Sequence, residues 1–353
     1  MNNTVSKEVV KSLKSYWRKP STNQVLHYAM SPSGIPAHHV FGYLNLWERT
    51  RILKEELSIR FAAQVRNLVR LPYGMPHLRD IRDATELHVK SFEEISKFPQ
   101  PYSDEDVKRF VDHIEKVNAE HLNMETELMN GLQGLFEDPF VEPQEVNDWM
   151  DSFFLIRISI QTLIMQHTAM VRQKPSIVRN CNVSGVVRKV INDVTTFAGD
   201  VYSDVPEITM RSTPNNVVTP YISSYLHYVI TELLKNSVVA HITSDRSEEP
   251  VQVMVVDGET ATTIKITDQG AGFPIDKLPQ MMYFGFSSDP VEICEEIELA
   301  GLPIFSGFGY GLPMARLYIK YLGGSLRILP VENLGADVYV YIPKTQALTE
   351  NLG

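Results

Sequence analysis

The sequence predicts an α+β chain in two domains: an N-terminal antiparallel four-helix bundle, then one C-terminal sheet covered by helices. Three observations predict it. Residues 41–171 carry four stripes of apolar residues at helical spacing, separated by short breaks. Residues 172–182, "RQKPSIVRNCN", then read as a linker. Beyond it, helical patterns alternate with short β-rich runs, and at 353 residues the chain is long enough for two cores.

In residues 1–25, Lys7, Lys11, Lys14, Arg18 and Lys19 face a single acid, Glu8, and Val5, Val9, Leu13 and Trp17 recur every four positions. This suits either a mitochondrial presequence or an N-terminal arm that docks as a helix. The bundle spans residues 26–172. Its first stripe is Leu53, Leu57, Phe61, Val65 and Leu68, and its second Ile81, Ala84, Leu87 and Ile95. The third opens on a capping-box-like Ser103–Asp106 and runs Val107, Phe110, Val111, Ile114, Val117, His121, Met124 and Leu128. The fourth carries Trp149, Phe153, Ile156, Ile160, Leu163 and His167. The second domain spans residues 183–345, with helical patterns over about 184–198, 219–240 and 311–322, and residues 346–353 form a tail. Its β-rich runs are "VQVMVV", "TTIKIT", "SLRIL" and "ADVYVYI", the first two flanking "DGETA" as a hairpin.

Composition narrows the function. A net charge of −10 argues against general nucleic-acid binding, and no apolar run is long enough to insert into a membrane. Cys181 and Cys294 are too few for a disulfide framework or a zinc cluster.

Three motifs carry chemistry. In "ELLKNSVVAH", Glu232 and Asn236 are four apart and share a helix face that is otherwise apolar. Asn236 suits an oxygen ligand for Mg²⁺, and Glu232 a general base; the plain alternative for Asn236 is a solvated helix flank. In "ITDQGAGFP" a strand ends at Asp268, followed by Gly270 and Gly272, so the carboxylate could accept from an exocyclic amine while a flat ring lies against backbone. In "SGFGYGLPMARLYIKYLGG", Gly307, Gly309 and Gly311 precede a helix, offering backbone N–H groups and a positive helix end to phosphates. The spacing is neither a Rossmann nor a Walker arrangement. The order E-x-x-x-N, D-x-G-x-G, G-x-G-x-G within 80 residues says more than any one of them.

That order resembles the GHKL (Bergerat) ATP-binding α/β sandwich of histidine kinases, type II topoisomerases and mitochondrial protein kinases. With "ELLKNS", "GFGYGLPMARLYIKYLGGSL", "FFLIRISIQTLIMQHT" and "NCNVS", the chain is similar to the mitochondrial kinases of 2-oxo-acid dehydrogenase complexes from about Leu26 to Pro343. The resemblance implies a protein-serine kinase of the mitochondrial matrix that uses ATP and Mg²⁺. It would phosphorylate, and so inactivate, the E1α subunit of such a complex. It also implies docking on the lipoyl domain of the E2 core and a homodimer. Carried over, Glu232 is the general base and Asn236 the Mg²⁺ ligand. Lys235 and Val239 lie on the ATP-binding helix, and Asp268, with Gly270 and Gly272, meets adenine. Ser287 and Ser288 are a hydroxyl pair beside the nucleotide. Gly307, Phe308, Gly309, Tyr310, Gly311 and Leu312 surround the phosphates, with residues 289–305 as a lid.

Several positions depart from the family pattern. Val239 replaces a usual Arg and Ala336 a Thr expected to help bind adenine, which bears on nucleotide affinity. Asn118 and Gln161 replace arginines that line an inhibitor pocket in pyruvate-type members, and the chain stops soon after Pro343. Tyr228, "ELLKNS", "YLGGSL" and the short tail lean toward branched-chain kinases; "RISI", "QHT", "NCNVS" and "GFGYGLP" lean toward pyruvate dehydrogenase kinases, the first reading. Two rivals stand beside these: a protein-histidine kinase with His167 as acceptor, and a non-catalytic ATP-binding pseudokinase.

Overall fold

A computed structural model of the chain describes residues 6–18, 45–122, 124, 128, 131–132, 140–175, 177–286, 297–299, 302–304, 309–344 and 350–352. It divides into two compact units, residues 1–176 with 352–353, and residues 177–351.

The first unit is helical. α1 (Lys7–Ser15) docks on it: Leu13 is 1% exposed, the Tyr16 ring meets Phe92 edge-on at 5.3 Å, and Arg18 pairs with Glu55. The lysines of α1 remain exposed. α2 (Leu46–Val69) starts at a capping box in which Asn45 Oδ1 accepts the Glu48 N–H at 3.0 Å and Glu48 Oε2 the Asn45 N–H at 2.9 Å. α3 (Arg79–Lys97), α4 (Asp104–Glu120, capped by Ser103) and α5 (Pro143–Val171) follow. α2 packs against α3, α4 and α5, and α4 against α5. Their shared core holds Leu57, Leu68, Ile81, Phe92, Phe110, Ile114, Met150, Phe153 and Leu163, each burial contributing about 2 kcal/mol.

Two expectations need correction here. The third stripe predicts one helix through Leu128, but α4 ends at Glu120 and the chain turns at His121 and Leu122; Met124 and Leu128 are buried beyond that turn. In α3 the buried position is His88 rather than Leu87, which is half-buried. His88 fits because its Nδ1–H donates to the Ala84 carbonyl at 2.7 Å and its ring lies among His121, Phe61 and Phe153.

The second unit begins with β1 (Val178–Asn182), antiparallel to β3 (Val218–Ile222), so the expected linker is partly a strand. α6 (Val183–Val201) and β2 (Ile208–Thr213) lie between them. The helix expected from 219 begins only at Ser223, as α7 (Ser223–Thr243). Thr219 and Tyr221 point inward on β3, and Pro220, which has no N–H to give a helix, sits in its middle.

β4 (Val251–Asp257) and β5 (Ala261–Asp268) form the expected hairpin, with Asp257 opposite Thr262. After the glycine-rich stretch come α8 (Gly311–Tyr321), β8 (Ser325–Val331) and β9 (Gly335–Pro343). The five-stranded sheet runs β2-β4-β5-β9-β8, with only β2–β4 parallel. Val251, Val253, Val255, Ile264, Ile266, Val340 and Ile342 form its buried face, and α7 packs against α6, α8 and β5. Within the expected lid, β6 (Ile297–Leu299) pairs antiparallel with β7 (Leu302–Ile304). Most of that lid, with Ser287, Ser288, Gly307 and Phe308, lies outside the described residues.

Candidate nucleotide site

Glu232 and Asn236 occupy one line of α7 but opposite environments. Glu232 is 3% exposed, whereas Asn236, one turn later, is open to solvent. Burial pushes the Glu232 carboxyl above the usual carboxylate range. The Lys235 ammonium, 3.3 Å from Oε1, opposes that shift without cancelling it. A raised, buried carboxylate with one cationic neighbour suits a proton acceptor.

The described glycines have reasons internal to the chain. A Cβ on Gly311 would stand 2.0 Å from Glu232 Oε2, so the missing side chain lets the first turn of α8 close on that carboxylate. Gly309, at φ +73°, would put a Cβ 2.2 Å from the Phe286 carbonyl, and Gly272, at φ +58°, 2.1 Å from that of Val331. Gly270 packs on Ala240 of α7. Tyr310 is buried against Phe284, Leu312 is half-buried, and no side chain caps α8. Tyr310 thus gives the first-turn N–H groups of α8, those of Gly311 and Leu312, no side-chain acceptor, and Pro313 has no N–H.

Asp268 ends β5 and is 7% exposed. Its Oδ1 accepts the N–H groups of Gly270 (3.1 Å) and Ala336 (3.2 Å), and Oδ2 accepts the Ser237 hydroxyl (3.4 Å). Burial raises its pKa, and these donors pull it back in part. Oδ2 keeps acceptor capacity for an amine. Ala336 replaces the expected Thr, yet its backbone still serves Asp268; Val239, half-buried one turn before Thr243, adds no charge.

The residues present fit a nucleotide with Mg²⁺. Asn236 would offer its amide oxygen to the ion, and Asp268 the acceptor for the base. Among the described residues no group of three His, Cys, Asp or Glu side chains could hold a metal. An ion here would rest on Asn236 and on phosphate and water oxygens.

Reading the sequence missed Ser237, His241 and Arg246. His241 and Arg246 were masked by a helical pattern that ends in an unremarkable polar run, and only the fold brings them to the Asp268 loop. His167, the acceptor of the protein-histidine kinase reading, is 1% exposed, with Nε2 3.1 Å from Thr50 Oγ1. Burial lowers its pKa to about 4. It is a core histidine, which leaves that reading without its acceptor.

The fold is that of a GHKL-type ATPase domain preceded in the chain by a helical domain. Residues 222–346 match the family described as histidine kinase-, DNA gyrase B- and HSP90-like ATPases. Residues 21–188 match that described as mitochondrial branched-chain alpha-ketoacid dehydrogenase kinase. The chain is similar to the mitochondrial [pyruvate dehydrogenase (acetyl-transferring)] kinase of Arabidopsis thaliana, 29% identical over 96% of this chain and 94% of that one. It is also similar to isozymes 4 and 1 from Homo sapiens, each 28% identical over 89% of this chain, covering 82% and 78% of theirs. The helical half thus matches a mitochondrial 2-oxo-acid dehydrogenase kinase model and the second half a GHKL ATPase model, and the chain is similar along most of its length to mitochondrial kinases of this kind.

Proposed function

We propose that this protein is an ATP-dependent protein-serine kinase of the mitochondrial matrix. Its substrate is the E1α subunit of a 2-oxo-acid dehydrogenase complex, pyruvate dehydrogenase first. The observation that carries the reading is Glu232: a buried carboxylate, pKa raised, one turn from the open amide of Asn236 and against the uncapped start of α8. Phosphoryl transfer needs chiefly positioning and charge stabilisation, with a base to orient the hydroxyl. Glu232 would accept the serine proton, Lys235 would stay near the transferred charge, and Asn236 would hold Mg²⁺ against the phosphates. The names of the similar Arabidopsis and human proteins support pyruvate dehydrogenase as the target. A branched-chain complex is the second reading, favoured by the description of the family matched over residues 21–188. Docking on an E2 lipoyl domain and homodimer formation go with the same assignment.

The test is phosphate transfer from labelled MgATP to purified pyruvate and branched-chain dehydrogenase complexes in parallel, with Glu232→Gln as control. Label on one E1α serine, lost in the variant, supports the kinase and names its complex. ATP binding with no label on either complex would leave the non-catalytic pseudokinase standing.

A further inference from the structure

We propose that His241 and Arg246 are positioning residues that aim the Asp268 carboxylate at the nucleotide; this rests on reading Asp268 as the contact to the base. His241 is fully buried near the end of α7, and both its ring nitrogens are engaged. Gln269 offers an N–H to Nε2 at 2.9 Å, so Nε2 is the acceptor. The proton is therefore on Nδ1, which donates to the Arg246 carbonyl at 3.0 Å. One ring thus ties the loop after β5 to the turn after α7.

Arg246 closes the tie from the other side. Its Nη1 donates to the carbonyls of Gln269 (3.1 Å), Gly270 (2.9 Å) and Asn333 (3.1 Å). The peptide joining Gln269 to Gly270 is then held at both ends: its carbonyl on Arg246, its N–H on Asp268 Oδ1 at 3.1 Å. The preceding peptide presents its N–H to His241. Asp268 takes one of its two backbone donors from a plane that Arg246 orients, so the carboxylate's direction depends on Arg246 through that backbone. The turn between β8 and β9 joins the same assembly, because the Asn333 N–H donates to Ala271 O at 2.6 Å. Releasing His241 or Arg246 frees the loop to rotate and costs base contact without touching Glu232 or Asn236.

The experiment measures MgATP dissociation by calorimetry, and KM and kcat where turnover is followed, on the full chain. His241→Phe keeps the ring volume but removes the acceptor; His241→Gln can return an acceptor oxygen to the Gln269 N–H. His241→Phe is expected to raise Kd and KM about tenfold with kcat changed less than about threefold, and His241→Gln to stay within about threefold of the parent Kd. Arg246→Gln carries the same expectation if His241→Phe does not fold. An unchanged Kd in a folded His241→Phe, or equal loss in Phe and Gln variants, overturns the inference. Asp268→Asn, run alongside, separates the two layers. If it weakens MgATP while His241→Phe does not, only the positioning role fails. If it leaves Kd unchanged, the base-contact reading fails and takes the inference with it.

Discussion

Glu232 Oε2 lies 2.0 Å from the place a Cβ on Gly311 would occupy, so the side chain of one residue fills the space the other lacks. Gly311→Ala must move that carboxylate or the start of α8. Helix propensity favours Ala by up to about 1 kcal/mol, so stability changes little while geometry changes much. A positioned base contributes roughly 10²–10⁴-fold, and kcat is expected to fall by about 10²-fold or more. In a Glu232→Ala background the same change should add almost nothing, because the obstructing carboxylate is gone. An unimpaired Gly311→Ala enzyme would show that the contact is incidental.

The pH profile follows from the same carboxylate. Glu232 must be ionised to accept a proton, and its pKa is raised by burial and lowered by Lys235. The acidic limb of kcat therefore sits above the ordinary Glu range of about 4.3. Removing the cation in Lys235→Met leaves burial unopposed, so the limb moves to higher pH. Because Lys235 is proposed to stay near the transferred phosphate, the profile is read from kcat at saturating MgATP. A limb that stays put or moves down in the variant contradicts this assignment of charges.

The two units were legible to different depths. Apolar spacing placed α2, α3 and α5 because each buries a continuous stripe, and alternation placed β4, β5 and β9 because one face is packed and the other wet. β1 and β3 escaped because a five-residue strand pair carries little period, and Tyr221 and Tyr225 continue a helical spacing across the true boundary at Ser223. At the site, the polar pair on an apolar face pointed to Glu232 and Asn236. What the glycines accommodate could not be read from spacing: Gly309, Gly311 and Gly272 each meet atoms distant in sequence. His241 and Arg246 were invisible for the same reason, since their partners are backbone groups of another segment.

α1 is a further consequence of packing. With Leu13 1% exposed and Tyr16 against Phe92, Leu13→Ala is expected to destabilise the helical unit by about 2–3 kcal/mol. Lys11→Ala on the exposed side should cost less than about 0.5 kcal/mol. Chemical denaturation of both variants checks the contrast. Equal, small effects would mean that α1 is not part of the folded unit.

The helical unit should also be acid-labile for a definable reason. His88 and His167 are buried and neutral, with pKa lowered to about 4, chiefly by burial. His121 is lowered too, by burial and then by His88 and Arg157. In the unfolded chain each titrates near 6.5. Below that pH the unfolded state takes up protons that the folded state refuses, so stability is full above about 6.5 and falls as pH drops toward 4. By pH 4, His88 and His167 each withdraw roughly 3 kcal/mol. His88→Phe removes one titration while keeping an aromatic ring among Phe61, His121 and Phe153. Its denaturation free energy should therefore fall less steeply between pH 6.5 and 4 than the parent's. Parallel curves for parent and variant would show that His88 is already protonated in the folded protein.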